Sequence, residues 1–289
     1  MPETDVVIIG AGPAGLAAAI QLQRYGIPFV LLEKGRVGGL LWNANLVENY
    51  PGFPAGVSGP KLVRLIEKQA SRIGVRVLQE CVLRVVTLDN IKNIYTINTN
   101  KNTYTTTHII IASGTKPRPT PIPIPTECAE RVYSDVWPLL GESGKRIVIV
   151  GAGDAAFDYA LNLTKNRNSV TILNRGGDVK CLRLLWERAR ANPAVTYRAE
   201  CPVSGVEAAG TAGRLRVRCE AGESLEADAL LFAIGRVPQV DFLSAELLAQ
   251  AHPGLHFVGD VKNGLYRQAA IAAGDGLRAA MEIYFSMEA

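Results

Sequence analysis

At 289 residues the chain exceeds the roughly 100 to 200 of an ordinary domain, so two domains are expected. Hydrophobic residues at 48% and charged residues at 20% describe a globular chain with a sizeable core and exclude a disordered one. Lys and Arg outnumber Asp and Glu by 31 to 27, an excess too small and scattered for a nucleic-acid partner.

The chain opens on Met1 to Asp5, with no basic region and no small-residue cleavage site, and no apolar stretch approaches the ~18 to 20 residues of a membrane span. A cytoplasmic protein without a membrane partner is expected. In Asp5 to Gly15 (DVVIIGAGPAG) an apolar strand runs straight into Gly10, Gly12 and Gly15, and Leu16 to Tyr25 continues at helical period. Such a turn uses the first glycine for tightness, the second for backbone approach to a pyrophosphate, and the third for close helix–strand packing. Pro13, Ala14 and Gly15 open the helix whose N–H groups face the phosphates. A second strand, Pro28 to Leu32, ends in Glu33, placed to accept ribose hydroxyls, with Lys34 beside it.

Further along, Asn93 to Thr107 is rich in Thr, Tyr and Ile around an Asn/Lys tip and predicts a β-hairpin; Thr196 to Ala227 is expected to behave similarly. Lys116 to Pro125 holds five prolines and predicts an extended crossover between domains. Arg146 to Asp158 then repeats strand, turn and helix, with Gly151, Gly153 and Ala156 in the glycine positions around Asp154 and Ala155. The following strand, Ser169 to Leu173, ends in Asn174 and Arg175 instead of a carboxylate. Ala269 to Ser286 has the spacing of a closing helix. The five cysteines lack any CxxC spacing, so no metal site and no local redox dithiol is expected, and each is taken as an isolated small core residue. His108, His252 and His256 offer no acid–base set. Trp42 stands either against a bound ring or in the core.

Gly38-Gly39, Val47 to Gly59 (VENYPGFPAGVSG), Ile111 to Gly114 (IASG) and Gly259-Asp260 with Arg267-Gln268-Ala269 give the chain a specific resemblance, along almost its whole length, to the low-molecular-weight thioredoxin reductases. The resemblance implies an α/β fold of two Rossmann-like three-layer nucleotide-binding domains, the second inserted into the first. The FAD domain would comprise 1–115 and 242–289, and the NAD(P)H domain 116–241. It implies FAD contacts from Gly10, Gly12, Pro13, Ala14, Gly15, Glu33, Lys34, Gly38, Gly39, Leu40, Asn49, Val82, Ala112, Ser113 and Gly114. At the end of the chain, Gly259 and Asp260 would start the last helix and hold the ribityl chain, and Arg267, Gln268 and Ala269 would face the flavin pyrimidine. For NADH or NADPH it implies Gly151, Gly153, Asp154, Ala155, Ala156, Asn174, Arg175, Lys180, Ile234 and Gly235. A homodimer through the FAD domains, with rotation of one domain against the other, is also implied.

Three departures matter. Leu40 replaces the family's Gln. The HRRxxxR motif for the 2′-phosphate of NADPH is reduced to Asn174, Arg175, Gly176 and Lys180. The stretch matching the family's CxxC, Val132 to Gly144, holds no cysteine, which removes the usual relay to thioredoxin. The expected function is therefore an NAD(P)H-dependent FAD oxidoreductase serving a separate redox protein of the iron–sulfur or flavodoxin type. CxxC-less relatives include flavoproteins associated with lipoate assembly and ferredoxin–NADP reductases, the latter with a longer tail than the one ending at Ala289. A non-catalytic FAD-binding sensor or scaffold and an oxidase are the alternatives.

Overall fold

The structure, a computed structural model, describes residues 4–89, 93–210, 213–249 and 251–288. It divides into two compact units, the first built from 1–42, 47–116 and 237–289, the second from 43–46 and 117–236.

In the first unit five parallel strands stand in the order Leu255–Phe257, His108–Ile111, Val6–Ile9, Phe29–Glu33 and Val77–Gln79. Side chains alternate across a strand, so the central VVII serves two cores. Val6 and Ile8 pack with Ile110 and Leu31 against the helices Pro13–Tyr25 and Ala269–Glu288. Val7 and Ile9 pack with Ile109 and Ile111 beneath an antiparallel meander of Val82–Asp89, Ile94–Thr99 and Thr103–Thr106. Each of these fully buried aliphatic side chains contributes about 1.5 to 3 kcal/mol. The three layers are therefore helix, parallel sheet and meander, the hairpin expected at Asn93 to Thr107 supplying two strands of the third.

The first and last helices touch backbone to backbone. A Cβ on Gly276 would lie 2.0 Å from the Ala14 carbonyl oxygen. This close approach explains the run of alanines on both helices, and it sets the start of the first helix, where the glycine turn lies, beside the early turns of the last helix, while Tyr25 at its other end stacks on Tyr284.

The second unit repeats the plan. Its parallel strands run Val195–Arg198, Ser169–Leu173, Arg146–Val150, Ala229–Phe232 and Val132–Tyr133. Ile147 and Ile149 face the helix Asp154–Leu163 through Phe157, Ala160 and Leu163. Val148 and Val150 face a second meander, Val203–Ala209, Arg214–Cys219 and Ser224–Ala227. The segment Thr196 to Ala227 is thus not one meander: its first strand pairs in parallel with Ser169–Leu173 and closes the edge of the main sheet. The linking strands Thr115–Pro117 and Arg236–Pro238 pair with each other.

The last helix begins at Ala269, and Gly259–Val261 is a separate 3-10 turn. The expectation that Gly259 and Asp260 start the final helix is corrected accordingly. Gly259 needs its left-handed φ of +73° to turn the chain there, which ends one element and leaves a loop before the next.

Candidate functional site: two glycine cradles

In the first unit the strand Val6–Ile9 ends at Gly10, whose φ of +105° only glycine adopts readily. Its N–H donates to the Leu32 carbonyl at 2.8 Å, and a Cβ there would lie 2.4 Å from the Ala112 oxygen. Gly12 caps the helix, Pro13 takes its first position, and the N–H groups of the first turn have no acceptor within the helix. A Cβ on Gly12 would meet nothing within 4 Å, whereas one on Gly15 would lie 1.9 Å from the Gly10 oxygen. The two glycines therefore do different work: Gly15 seats the helix on the turn, and Gly12 leaves space above it.

Glu33 ends the adjacent strand. Its carboxylate accepts the N–H groups of Ala11 at 2.8 Å and Gly35 at 2.9 Å, which fixes it beside the glycine turn with lone pairs to spare. The Gly38 N–H donates to the Ala11 carbonyl at 2.8 Å, and Gly39 passes over Gly12, where its Cβ would sit 3.5 Å from the Gly12 Cα. Leu40 follows in the 3-10 turn Gly39–Asn43. The cleft beside the turn is lined by Gly10, Glu33, Lys34, Val82 and Ser113, with Glu80, Cys81 and Phe242. Ala112 donates its N–H to Ile9, the Ser113 hydroxyl donates to the Gln239 carbonyl at 2.6 Å, and Gly114 accepts from the Gln239 N–H. Asn49 donates to the Gln268 side chain at 2.9 Å, tying the VENYPGFP segment to the entry of the last helix, between Arg267 and the first helical residue, Ala269.

Trp42 has a structural position. Its Nε1–H donates to the Val37 carbonyl at 2.7 Å, and the Arg36 guanidinium stacks 3.2 Å above its ring, stapling the 36–42 loop that carries Gly38 and Gly39. Asp275 was not singled out in the sequence. Buried in the last helix, it accepts from the Gly259 N–H at 3.1 Å and the Asn263 side chain at 2.7 Å and pairs with Lys262, so it shapes the loop containing Asp260. Of the acids in that helix it alone sits within the alanine- and glycine-rich first half, and that composition is the signal that marks it.

The second unit has a parallel cradle. Gly151 takes φ +132°, with its would-be Cβ 2.3 Å from the Ala233 oxygen, and Gly153 caps the helix, where a Cβ would meet only the Lys180 carbonyl oxygen at 3.8 Å. Ala156, in the third position, is fully buried. Asp154 accepts the Leu182 N–H at 2.7 Å, Ala155 is exposed on the first turn, and Lys180 bridges Ala152 and Gly153 through its backbone. Ile234 and Gly235 follow the strand Ala229–Phe232, and the Gly235 carbonyl accepts from Arg118.

Asn174 has its polar atoms engaged within the protein. Its amide donates to the Asp178 carbonyl and the Tyr197 hydroxyl, each at 2.9 Å, and its oxygen accepts from Gly176. It builds the turn, and the exposed side chains of Arg175 and Lys180 supply the positive charge around it.

The short segment Asn43–Leu46 belongs to the second unit by its contacts. Asp158 accepts the Asn45 N–H at 2.8 Å, and Asp135 accepts from Asn43 and from Arg236, each at 2.9 Å. Burial pushes the Asp158 carboxyl up to about 6, against the opposing effect of the Asn45 amide and Lys165. These polar partners lie about a hundred residues apart in the chain, and no local pattern announces them.

Cys201 and Cys219 are joined by a disulfide, with Cα atoms 5.8 Å apart, at the base of the second meander. The reading of every cysteine as isolated is corrected: the register that pairs Val203 with Cys219 brings the two together. Both are buried, 8% and 3% exposed, in the core beneath that meander. Cys81, Cys128 and Cys181 are free. Among the described residues no helix is long and apolar enough to cross a membrane.

The profile of the pyridine nucleotide-disulphide oxidoreductases matches residues 4–276, nearly the whole chain. The chain belongs to this family. Within it, the chain is 29% identical to thioredoxin reductase of Chlamydia pneumoniae over 98% of both proteins, and 31% identical to that of Mycolicibacterium smegmatis over 96% of this chain and 94% of the relative. The crystal structure of Lactococcus lactis thioredoxin reductase in its FR conformation superposes with a TM-score of 0.85 at 28% identity, covering 99% of this chain and all of the other. Like the family, the chain is a flavin oxidoreductase that uses FAD and a nicotinamide nucleotide. Its residues fit both groups: each unit offers a glycine turn closed by backbone on one side, with nothing within 4 Å of a Cβ on Gly12 and no contact closer than 3.8 Å for one on Gly153.

Proposed function

We propose that the first unit holds FAD, the second holds NADPH or NADH, and the protein delivers electrons to a separate iron–sulfur protein without a dithiol relay. This reading is carried by a contrast: two glycine cradles are complete, yet Val132 to Gly144 contains no cysteine where thioredoxin reductases keep their CxxC. The Cys201–Cys219 pair is no substitute, because both sulfurs are buried under the meander where an incoming protein disulfide has no access.

Bound in their cradles, the two cofactors supply hydride donation and the conversion of an electron pair into single electrons. The protein's part is to bind and orient them. First-turn N–H groups beyond Gly12 and Gly153 face the phosphates, and Glu33 accepts ribose hydroxyls. Arg175 and Lys180 favour the 2′-phosphate of NADPH, since no carboxylate stands at the end of Ser169–Leu173 to claim a ribose diol. A cytoplasmic homodimer, and an acceptor such as the radical iron–sulfur synthase of lipoate assembly, complete the proposal. The test is an acceptor panel under anaerobic conditions with NADPH and NADH. Reduction of an iron–sulfur protein at least about ten times faster than of thioredoxin disulfide is expected; efficient turnover of thioredoxin overturns the reading.

A further inference from the structure

Beside the carboxylate of Glu33 the first unit buries a second one. Glu80 follows the strand Val77–Gln79, and its N–H donates to the Glu33 carbonyl at 3.0 Å, so the two acids lie on neighbouring steps of the same cleft. Glu80 is only 6% exposed. A buried carboxylate is costly unless donors surround it, and here three do. Oε1 accepts from the Asn102 amide at 2.7 Å and the Tyr104 hydroxyl at 2.9 Å, and Oε2 accepts from the Thr99 hydroxyl at 2.6 Å. Burial pushes the carboxyl up, but these hydrogen bonds and the charge of Lys101 outweigh it and hold it below its ordinary range.

All three donors sit at the closed end of the hairpin Ile94–Thr99 and Thr103–Thr106. The tip of that hairpin grips the next residue as well. Asn100 accepts the Cys81 N–H through its side chain and donates its own N–H to the Cys81 carbonyl, both at 2.9 Å. Cys81 and Val82 then continue along the cleft, facing Ile9, Leu32 and Phe242. The apolar wall of Ile9, Leu32, Val82 and Phe242 in the cleft that also holds the ribose-accepting carboxylate suits a flat purine ring.

We propose that Glu80 is a positioning residue for the adenylate half of FAD: through Thr99, Asn102 and Tyr104 it locks the hairpin tip that fixes Cys81 and Val82 as the wall of the adenine slot. The inference rests on the assignment of FAD to the first unit. The slot is then preformed, and its ordering cost is not charged against binding.

The test compares Glu80→Gln with the wild type, each stripped of flavin and refilled with FAD or with FMN, which lacks the adenylate. Glutamine keeps the shape but puts an amide among the three donors. The FAD dissociation constant is expected to rise at least about tenfold with FMN affinity unchanged. In the FAD-loaded wild type, peptide-resolved alkylation of Cys81 is expected to be strongly slowed, and this protection is expected to be lost in the variant. Equal weakening of FAD and FMN would make Glu80 a general structural residue and overturn the proposal, as would unchanged FAD affinity and protection. Should Glu80→Gln fail to fold, Tyr104→Phe, which removes one donor, decides on the same readouts with a smaller change. A wild type that takes up no FAD would instead overturn the assignment of the cradle itself.

Discussion

Gly12→Ala is expected to leave the flavin-free protein as stable as the wild type and to weaken FAD binding by about a hundredfold or more. Gly15→Ala, three residues on, is expected to damage both. The difference follows from what each added methyl meets. At Gly12 φ is −76°, an ordinary value for alanine, and the new Cβ finds nothing within 4 Å. The protein has no reason to object. A pyrophosphate brought against the first-turn amides does, because its closest approach is to that Cα. At Gly15 the Cβ would lie 1.9 Å from a backbone oxygen and 3.3 Å from the Ala112 Cβ, and neither can step aside as a flexible side chain would. The helix must lift off its turn, a cost at or above the ~1 to 3 kcal/mol of ordinary overpacking, and the cradle opens with it. Thermal unfolding of the flavin-free proteins and FAD titration separate the two effects. Tight FAD binding by Gly12→Ala would remove the cradle from the first unit.

The corresponding change in the second unit, Gly153→Val, is expected to leave FAD bound and chemically reducible while slowing reduction by NADPH or NADH at least about a hundredfold. Gly153 has φ −93°, and its nearest neighbour would be the Lys180 carbonyl oxygen at 3.8 Å from an added Cβ, so the side chain is accommodated by the fold and projects into the phosphate space. Gly151 is not available for this purpose, since at φ +132° and 2.3 Å from the Ala233 oxygen any side chain breaks the turn itself. The two cradles differ at the third position, where Ala156 already carries the methyl that Gly15 excludes. Dithionite reduction of the variant confirms that the flavin is intact, and the rate with nicotinamide then reports on the second cradle alone.

What the sequence makes legible is local. Strand, glycine turn, helix and the carboxylate of Glu33 lie within about thirty consecutive residues, and their spacing alone constrains their geometry. The parallel sheets and the meanders follow from the same periodicities. Contacts that depend on strand register are hidden. Glu80 meets Thr99 and Tyr104 only because the hairpin folds back over the sheet, and Cys201 meets Cys219 only because Val203 is in register with Cys219. The strand Val195–Arg198 alternates like a meander strand yet pairs in parallel, a choice made by its partner Ser169–Leu173 and invisible in four residues. The hydrogen bonds of Asn174 to the 176–178 turn and to Tyr197 on the neighbouring strand are likewise hidden in the sequence.

In the proposed function the flavin alone stores the electrons taken from the nicotinamide. Stepwise anaerobic titration of the FAD-loaded protein with NADPH measures this directly, in the wild type and in the double variant Cys201→Ser with Cys219→Ser. Full reduction after about one equivalent per flavin in both proteins is the expected result, because a hydride delivers one electron pair. A wild type that consumes about two equivalents, falling to one in the double variant, would make the buried disulfide part of the electron path and overturn the proposed function.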